Sequence, residues 1–461
     1  MTRAQPGSGH PGPKTNLTGY LAWYATAVTG IFLVWGAVGS ILLPIQVQEL
    51  VFHQWFRGID AGVDLSALTN LRAQLRAGGA TPVGDQVRLL SLLDGFETER
   101  AQDLSLVTSI GVLCTMLAQP VVGLLSDRTA GPWGRRSPWI AGGSVIGAGF
   151  LIALRYSPSI GWLIACWSIS QTAINVAQGP LTATIADRVP HNRVASASAL
   201  TGVASLVGSL AGSFLVGTLF AVAGLDAYFL LAVALGVPCL LFALTQKESR
   251  QQSGVRPGRR TIVIELLAPF TRPDYRWLWA AKLAVSVGSG MTATYSLYLM
   301  QSYIQPAMTA LEAARTIPWI TLAAAPLALG AMLGAGRLAD RSGRRKPIAI
   351  TSALVLGTAF LVPFAWPTLP ALFVQGVLTS AALGTFLALD QAMFIGIIED
   401  QHDAGRDLGL SALAGNLGQA VAPILGGAII AATHSYAPLW AAGAVLAVAA
   451  GAFITRVAQL R

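Results

Sequence analysis

Lys282 and Asp390 lie deep inside long apolar stretches, in AAKLAVSV and FLALDQAMFIGIIED. Asp390 precedes Asp400 by ten residues, about 15 Å of helix rise, and Lys282 follows Arg276 by six, about 9 Å. The two depths differ by about 6 Å, within reach of a lysine side chain. A carboxylate so far from water is costly unless it is protonated, paired or facing a wet cavity. A carboxyl that exchanges its proton there suits proton coupling, whereas a permanently paired acid serves packing. Lys282 also admits two readings: a partner for Asp390, or a side chain that snorkels to the nearby surface.

Gln171, Asn175, Gln178 and Thr182 recur at near-helical spacing, so one face of that stretch is polar. Tyr295, Tyr298 and Gln301 mark a second stretch, and Gln391 follows Asp390. Such stripes face a cavity or a neighbouring helix, which makes these residues candidates for a substrate cavity. Other chemistry finds no support. His10, His53, His191, His402 and His434 fall in tails and connections with no common site, and Cys114, Cys166 and Cys239 sit singly in apolar runs. Neither a disulfide nor a metal spacing results. A phosphate loop of the form G-x-x-x-x-G-K-S/T is missing, and so is a filter-like loop or charged ring. No enzymatic activity, cofactor or metal is expected.

The elements that hold these residues are announced by two basic turns. Residues 123–139 read GLLSDRTAGPWGRRSPW, and residues 336–347 read GRLADRSGRRKP. Charge this dense belongs outside hydrocarbon. Arginines there can set orientation, but acids contribute little to it, so the repeated aspartates need another role. Opposite charges near helix ends can make charge-assisted hydrogen bonds, and an aspartate can sit on a neighbouring helix N-terminus. One cluster is Asp127, Arg128, Arg135, Arg136, Asp187 and Arg193; its sister is Asp340, Arg341, Arg344, Arg345, Asp400 and Arg406. Asp127 and Asp340 are 213 residues apart, and so are Gln178 and Gln391, Asp187 and Asp400, and Arg193 and Arg406. Four rare polar markers at one offset indicate a duplicated unit.

The chain is 54% hydrophobic and only 11% charged, against about 25% charged in soluble domains. Its apolar runs predict twelve membrane helices: 20–48, 102–126, 138–156, 160–186, 194–222, 226–246, 276–303, 313–338, 347–366, 369–398, 408–432 and 436–456. With both termini in the cytoplasm, 22 of the 30 Lys and Arg fall on the cytoplasmic side and 7 on the outer side, as the positive-inside rule requires. The net charge of +9 lies in short clusters between apolar runs, so nucleic acid is not an expected partner. The predicted organisation is a flexible tail (1–19), a six-helix bundle (20–246) with an outer loop at 51–101, a linker (247–275) and a second bundle (276–461). The outer loop reads either as a small cap or as a plain surface insertion. TIVIELLAPF in the linker reads as a short interfacial helix.

Two six-helix halves, each carrying G-x-L-x-D-R followed by G-R-R, resemble the major facilitator superfamily of secondary transporters. SDRTAGPWGRRSPW and NVAQGPLTATIADR resemble, more narrowly, the loop and fourth helix of its sucrose-type and glycoside–cation symporter branch. That branch carries an arginine after G-P-x where this chain has Thr182, and Asn175 stands where the wider family has arginine. The resemblance implies an all-α membrane fold of two pseudo-twofold-related bundles, with the charged clusters latching the cytoplasmic side. It implies a monomeric transporter in the cytoplasmic membrane that moves a small molecule by alternating access; the deep Asp390, with Lys282 as its candidate partner, adds the expectation of proton coupling. Uptake of a sugar or glycoside is the leading expectation. Export of a small amphipathic compound and a non-transporting receptor are the alternatives.

Overall fold

The computed structural model describes residues 17–129, 133–190, 193–246, 268–397 and 404–459. The expected tail, most of the linker with its interfacial helix, and Asp400 lie outside these residues. The side chains of Asp127, Arg128 and Arg406 lie outside the description too.

The described chain is helical almost throughout. In chain order the helices are α1 (Leu17–Ala37), α2 (Leu43–Trp55), α3 (Leu65–Gly78), α4 (Asp85–Arg128), α5 (Ser137–Arg155), α6 (Ile160–Arg188), α7 (Val194–Ala223), α8 (Ala227–Thr245), α9 (Pro273–Thr294), α10 (Ser296–Ser302), α11 (Ala310–Ser342), α12 (Arg345–Ala365), α13 (Leu369–Gly396), α14 (Ala404–Thr433) and α15 (Ala437–Thr455). Among the described residues, ten segments are long and apolar enough to cross a membrane, one of them covering both α7 and α8. Helix α9 is not among them: it carries Lys282, with Trp, Ser, Thr and Gly residues that lower its hydropathy further. Counting α7 and α8 separately and adding α9 gives the twelve expected spans.

The structure departs from the predicted spans at three places. The first span runs on to Trp55 through a π-turn at Val38–Leu42, just before Pro44, whose missing N–H disturbs a regular ladder. The seventh span breaks at Tyr295 into α9 and α10. Helix α4 starts at Asp85, not near 102, and at 44 residues is about 66 Å long, twice the hydrocarbon thickness. Residues 85–101, a third of the expected outer loop, therefore belong to α4. Another part folds as α3, capped by Asp64, which accepts from the Ser66 and Ala67 amides, and ended by Gly79 at φ +63°. Arg72 of α3 holds Glu97 and Asp94 of α4 at 2.8 and 2.9 Å, and Asn70 accepts from the Ala307 amide in the other half. Of the two readings of the insert, packing as a cap describes what is seen.

Local sequence explains the long helices as well. Thr309 and Glu312 form a capping box at the start of α11, and Gly343 at φ +65° ends it. Glycines allow α1 and α7 to touch along their backbones: a Cβ on Gly212 would strike the Leu33 carbonyl, and one on Gly36 the Ser209 carbonyl. Within the first half α1 packs on α7 and α5 on α6; within the second α11 packs on α13 and α12 on α15. Between halves, α4 packs on α14 and α7 on α11. The repeat exchanges these two pairs, so they are one interface used twice around a pseudo-twofold axis. The fold is thus two six-helix bundles joined along four helices.

Candidate functional site

A cavity of about 580 Å³ lies where the bundles meet, walled by α1, α7, α9, α10, α11, α13, α14 and α15. None of its lining side chains is charged. Its polar groups arrive in helical pairs: Ser209 and Ser213 from α7, Ser286 and Ser289 from α9, Gln375 and Thr379 from α13. Gln419 adds a further amide, and Trp35 and Trp440 supply flat apolar walls. Hydroxyls and amides that donate and accept, set between aromatic faces, suit a neutral solute with many hydrogen-bonding groups and apolar ring faces.

Beside this cavity sits the deep ion pair. Lys282 Nζ lies 2.5 Å from Asp390 Oδ2 and donates to Ser411 Oγ at 3.1 Å. Asp390 is 6% exposed, and its second oxygen, Oδ1, has no hydrogen-bond partner among the described residues. The ammonium also lies 5.6 Å from the Phe394 ring centre. Lys282 is one turn from Ser286 of the cavity wall, so pair and cavity share α9. Lys282 thus points inward to Asp390 in this structure instead of snorkelling.

The opposite end of the cavity is closed by a residue that sequence reasoning treated as a loop charge. Arg100 of α4 is 1% exposed. It donates to Gln48 Oε1 (2.9 Å), Gln301 Oε1 (3.3 Å), Ser302 Oγ (2.5 Å) and the Tyr436 hydroxyl (3.2 Å). Its guanidinium lies 4.3 Å from the Tyr298 ring centre. Three of these partners belong to the other half. Tyr298 donates to Pro44 O at 2.7 Å, and the Tyr295 hydroxyl lies 2.8 Å from Pro423 O and 3.1 Å from Ala101 O. Tyr295, Tyr298 and Gln301 therefore meet in this closure and are not among the cavity-lining residues. Glu97, 4.0 Å from Arg100, ties the closure to Arg72 of the insert.

At the end bearing the basic turns, Arg135 and Arg136 hold Asp187 at 3.0 and 2.6 Å. Arg136, Asn175 and Gln119 line a second cavity of about 350 Å³ between α4 and α6. Gln119 donates to Asn175 at 3.2 Å and accepts from Asn416 of the other half at 3.4 Å. Gln178 accepts from Trp35 Nε1 at 3.3 Å, which links it to the wall of the large cavity. Gln171 is buried and its Oε1 is unpaired, while Thr182 is exposed and donates to the Gln178 carbonyl. Gln391 is exposed next to the deep pair. Of the sister cluster, Asp340, Arg341 and Arg344 are exposed, and Arg345 donates to Ala392 O at 3.1 Å; Arg193 of the first cluster is exposed as well. The acid gathered here is Asp407, fully buried and paired with Arg272, a residue the repeat did not mark. The cavity serines stand in the sequence as i, i+3 and i, i+4 pairs, a signal that could have found them; Arg100 carried no such signal.

A family model described as MFS/sugar transport protein matches residues 100–454. The structure is similar to the D323A mutant of the nucleoside transporter NupG, with a TM-score of 0.68 at 12% identity, over 95% of this chain and 100% of that one. It is also similar to a bacterial homolog of the human lysosomal transporter Spinster, solved in an inward-facing and unoccupied conformation, with a TM-score of 0.60 at 16% identity over 97% and 95% of the two chains. An uncharacterized symporter of Synechocystis sp. is 49% identical over 39 residues, which is 8% of this chain and 7% of that protein's length. The families and folds matched are those of transporters, not enzymes. The match over most of the chain, on a twelve-span fold of two bundles, makes this multi-pass membrane protein a member of the MFS/sugar transport protein family of the major facilitator superfamily.

Proposed function

We propose that the protein carries a neutral, hydroxyl-rich solute of the sugar or glycoside class across the cytoplasmic membrane by alternating access, with protonation of Asp390 as the coupling step. The observation that carries this reading is the uncharged cavity of about 580 Å³ lying one helical turn from the Lys282–Asp390 pair. Protonated Asp390 no longer holds the Lys282 ammonium, so a proton taken from one side loosens the contact between α9 and α13. A solute in the cavity then biases which half-rotated state the bundles adopt. Lys282 and Asp390 are both nearly desolvated, so removing one partner strands the other charge, a cost of about 3–5 kcal/mol. The coupling cycle avoids that cost only if proton and solute move together.

The excess of basic residues supports placing both termini and the Arg135–Asp187 cluster in the cytoplasm, with the Arg100 closure outside. Tight packing at the Arg100 end is then what an inward-facing state requires. A monomer suffices, because both halves of the cavity come from one chain. The test is solute movement in vesicles of defined orientation carrying purified protein. Accumulation of a labelled sugar or glycoside driven by an inward proton gradient supports symport. Proton-driven extrusion of an amphipathic compound, with no sugar uptake, supports export instead, and no saturable flux at all contradicts both.

A further inference from the structure

Two apolar grooves face outward at equivalent positions of the two halves. One, of about 490 Å³, is formed by α4, α5 and α6, and the other, of about 500 Å³, by α11, α12 and α13. Pro138 and Thr172 in the first correspond to Pro347 and Thr385 in the second. The 213-residue offset holds for the threonines, and for the prolines it shortens by the four residues that the second turn lacks. In a membrane protein these grooves open onto acyl chains.

They differ at the mouth. Beside the first groove, Arg135 and Arg136 are spent on Asp187. Beside the second, Gly334 and Leu338 of the groove wall lead to Arg341 at i, i+4, i+7 along α11. Arg344, the residue just before α12, precedes Ile348 and Thr351 of the wall by four and seven residues. Both arginines are exposed, and neither guanidinium makes an ion pair or hydrogen bond among the described residues. An apolar slot in the hydrocarbon with two unpaired cations at its polar end has the chemistry of an anionic phospholipid site: acyl chain in the slot, phosphate on the arginines.

We infer that the groove between α11, α12 and α13 binds one anionic phospholipid from the leaflet at the basic-turn end, while its repeat-related twin does not discriminate by charge. Leu338, 54% exposed, is the apolar hinge between slot and cations. The twin supplies the internal control, since its shape is alike and its arginines are already paired. The inference does not depend on which solute is carried.

The test uses the purified full chain with equal amounts of phosphatidylglycerol and phosphatidylcholine, and counts bound lipid by native mass spectrometry. Wild type should retain phosphatidylglycerol in preference. Arg341→Gln with Arg344→Gln should weaken that preference roughly 30-fold, and Arg341→Gln alone about fivefold. Gly334→Leu, at a glycine where an added Cβ meets nothing within 4 Å, should fill the slot and lose the tightly held lipid. Gly142→Leu, equally unobstructed in the twin groove, should leave it bound. Undiminished preference in the double arginine variant would overturn the inference, as would equal losses from Gly334→Leu and Gly142→Leu. Because the arginines are exposed and both glycines are open, every variant is expected to fold.

Discussion

The Arg100 guanidinium stacks 4.3 Å from the Tyr298 ring and reaches Gln301, Ser302 and Tyr436 of the opposite half. One side chain from the first bundle is thus the hub on which the second bundle closes. Hydrogen bonds to a charged group are worth about 1.5–3 kcal/mol each when a partner is removed. Arg100→Met should therefore shift the conformational balance away from closure at the Arg100 end by a factor of ten or more. Spin labels at Thr98 and His434, whose side chains meet across the halves at 3.1 Å, should report a longer distance in the variant. An unchanged distance distribution would remove Arg100 from the closure.

The insert should respond to acid. The Arg88 guanidinium holds the Asp60 carboxyl below the usual carboxylate range, and the Ser66 hydroxyl with the Ala67 amide does the same for Asp64. Groups lowered in the folded state contribute fully above the unfolded value near pH 3.9, and that contribution is lost as the pH falls through the lowered values. Exchange at the amides of residues 65–70, corrected for intrinsic rates, should be steady between about pH 5 and 8 and accelerate below about 4. Asp64→Ala should remove about 1 kcal/mol of α3 stability at neutral pH and abolish much of that acid response. Identical profiles for the variant and wild type would contradict the assignment.

Close approach of α1 and α7 predicts a sharp difference between glycines. Gly212→Leu must displace the backbone near Leu33 and should lower stability by about 1–3 kcal/mol, read as a fall in thermal unfolding temperature. Gly149→Leu, with nothing within 4 Å of an added Cβ, should change it little. Similar losses at both positions would mean that the interface relaxes more readily than its geometry implies.

The uncharged cavity makes its own prediction. Gln375→Ala and Gln419→Ala each remove hydrogen-bonding capacity and should raise the half-saturating solute concentration about 2- to 10-fold, with little effect on folding. Counterflow measured at several solute concentrations decides it. Unaltered affinity in both variants would move the substrate away from this cavity.

Spans were readable because apolar runs of bilayer length have few other uses, and the duplicated Asp127 and Asp340 exposed the two-bundle plan. The α4 extension was hidden because residues 85–101 are amphipathic helix beyond the hydrocarbon, where hydropathy carries no signal. Depth arithmetic alone put Lys282 and Asp390 within reach of each other; which way the lysine turned needed the neighbouring Ser411 and Phe394. Arg100 was unreadable for a different reason. Its neighbours Glu97, Glu99 and Asp103 make it resemble a solvated charge, and its burial follows from Gln301 and Tyr436, about 200 and 336 residues away. Long-range closure of that kind leaves no local pattern.

The central claim is that Asp390 exchanges the coupling proton. Proteoliposomes containing Asp390→Asn should still exchange labelled solute for unlabelled solute across the membrane, because that exchange needs no net proton movement, and should lose accumulation driven by an imposed pH gradient. Accumulation at the wild-type level in Asp390→Asn vesicles, abolished as in wild type by a proton carrier, would contradict it.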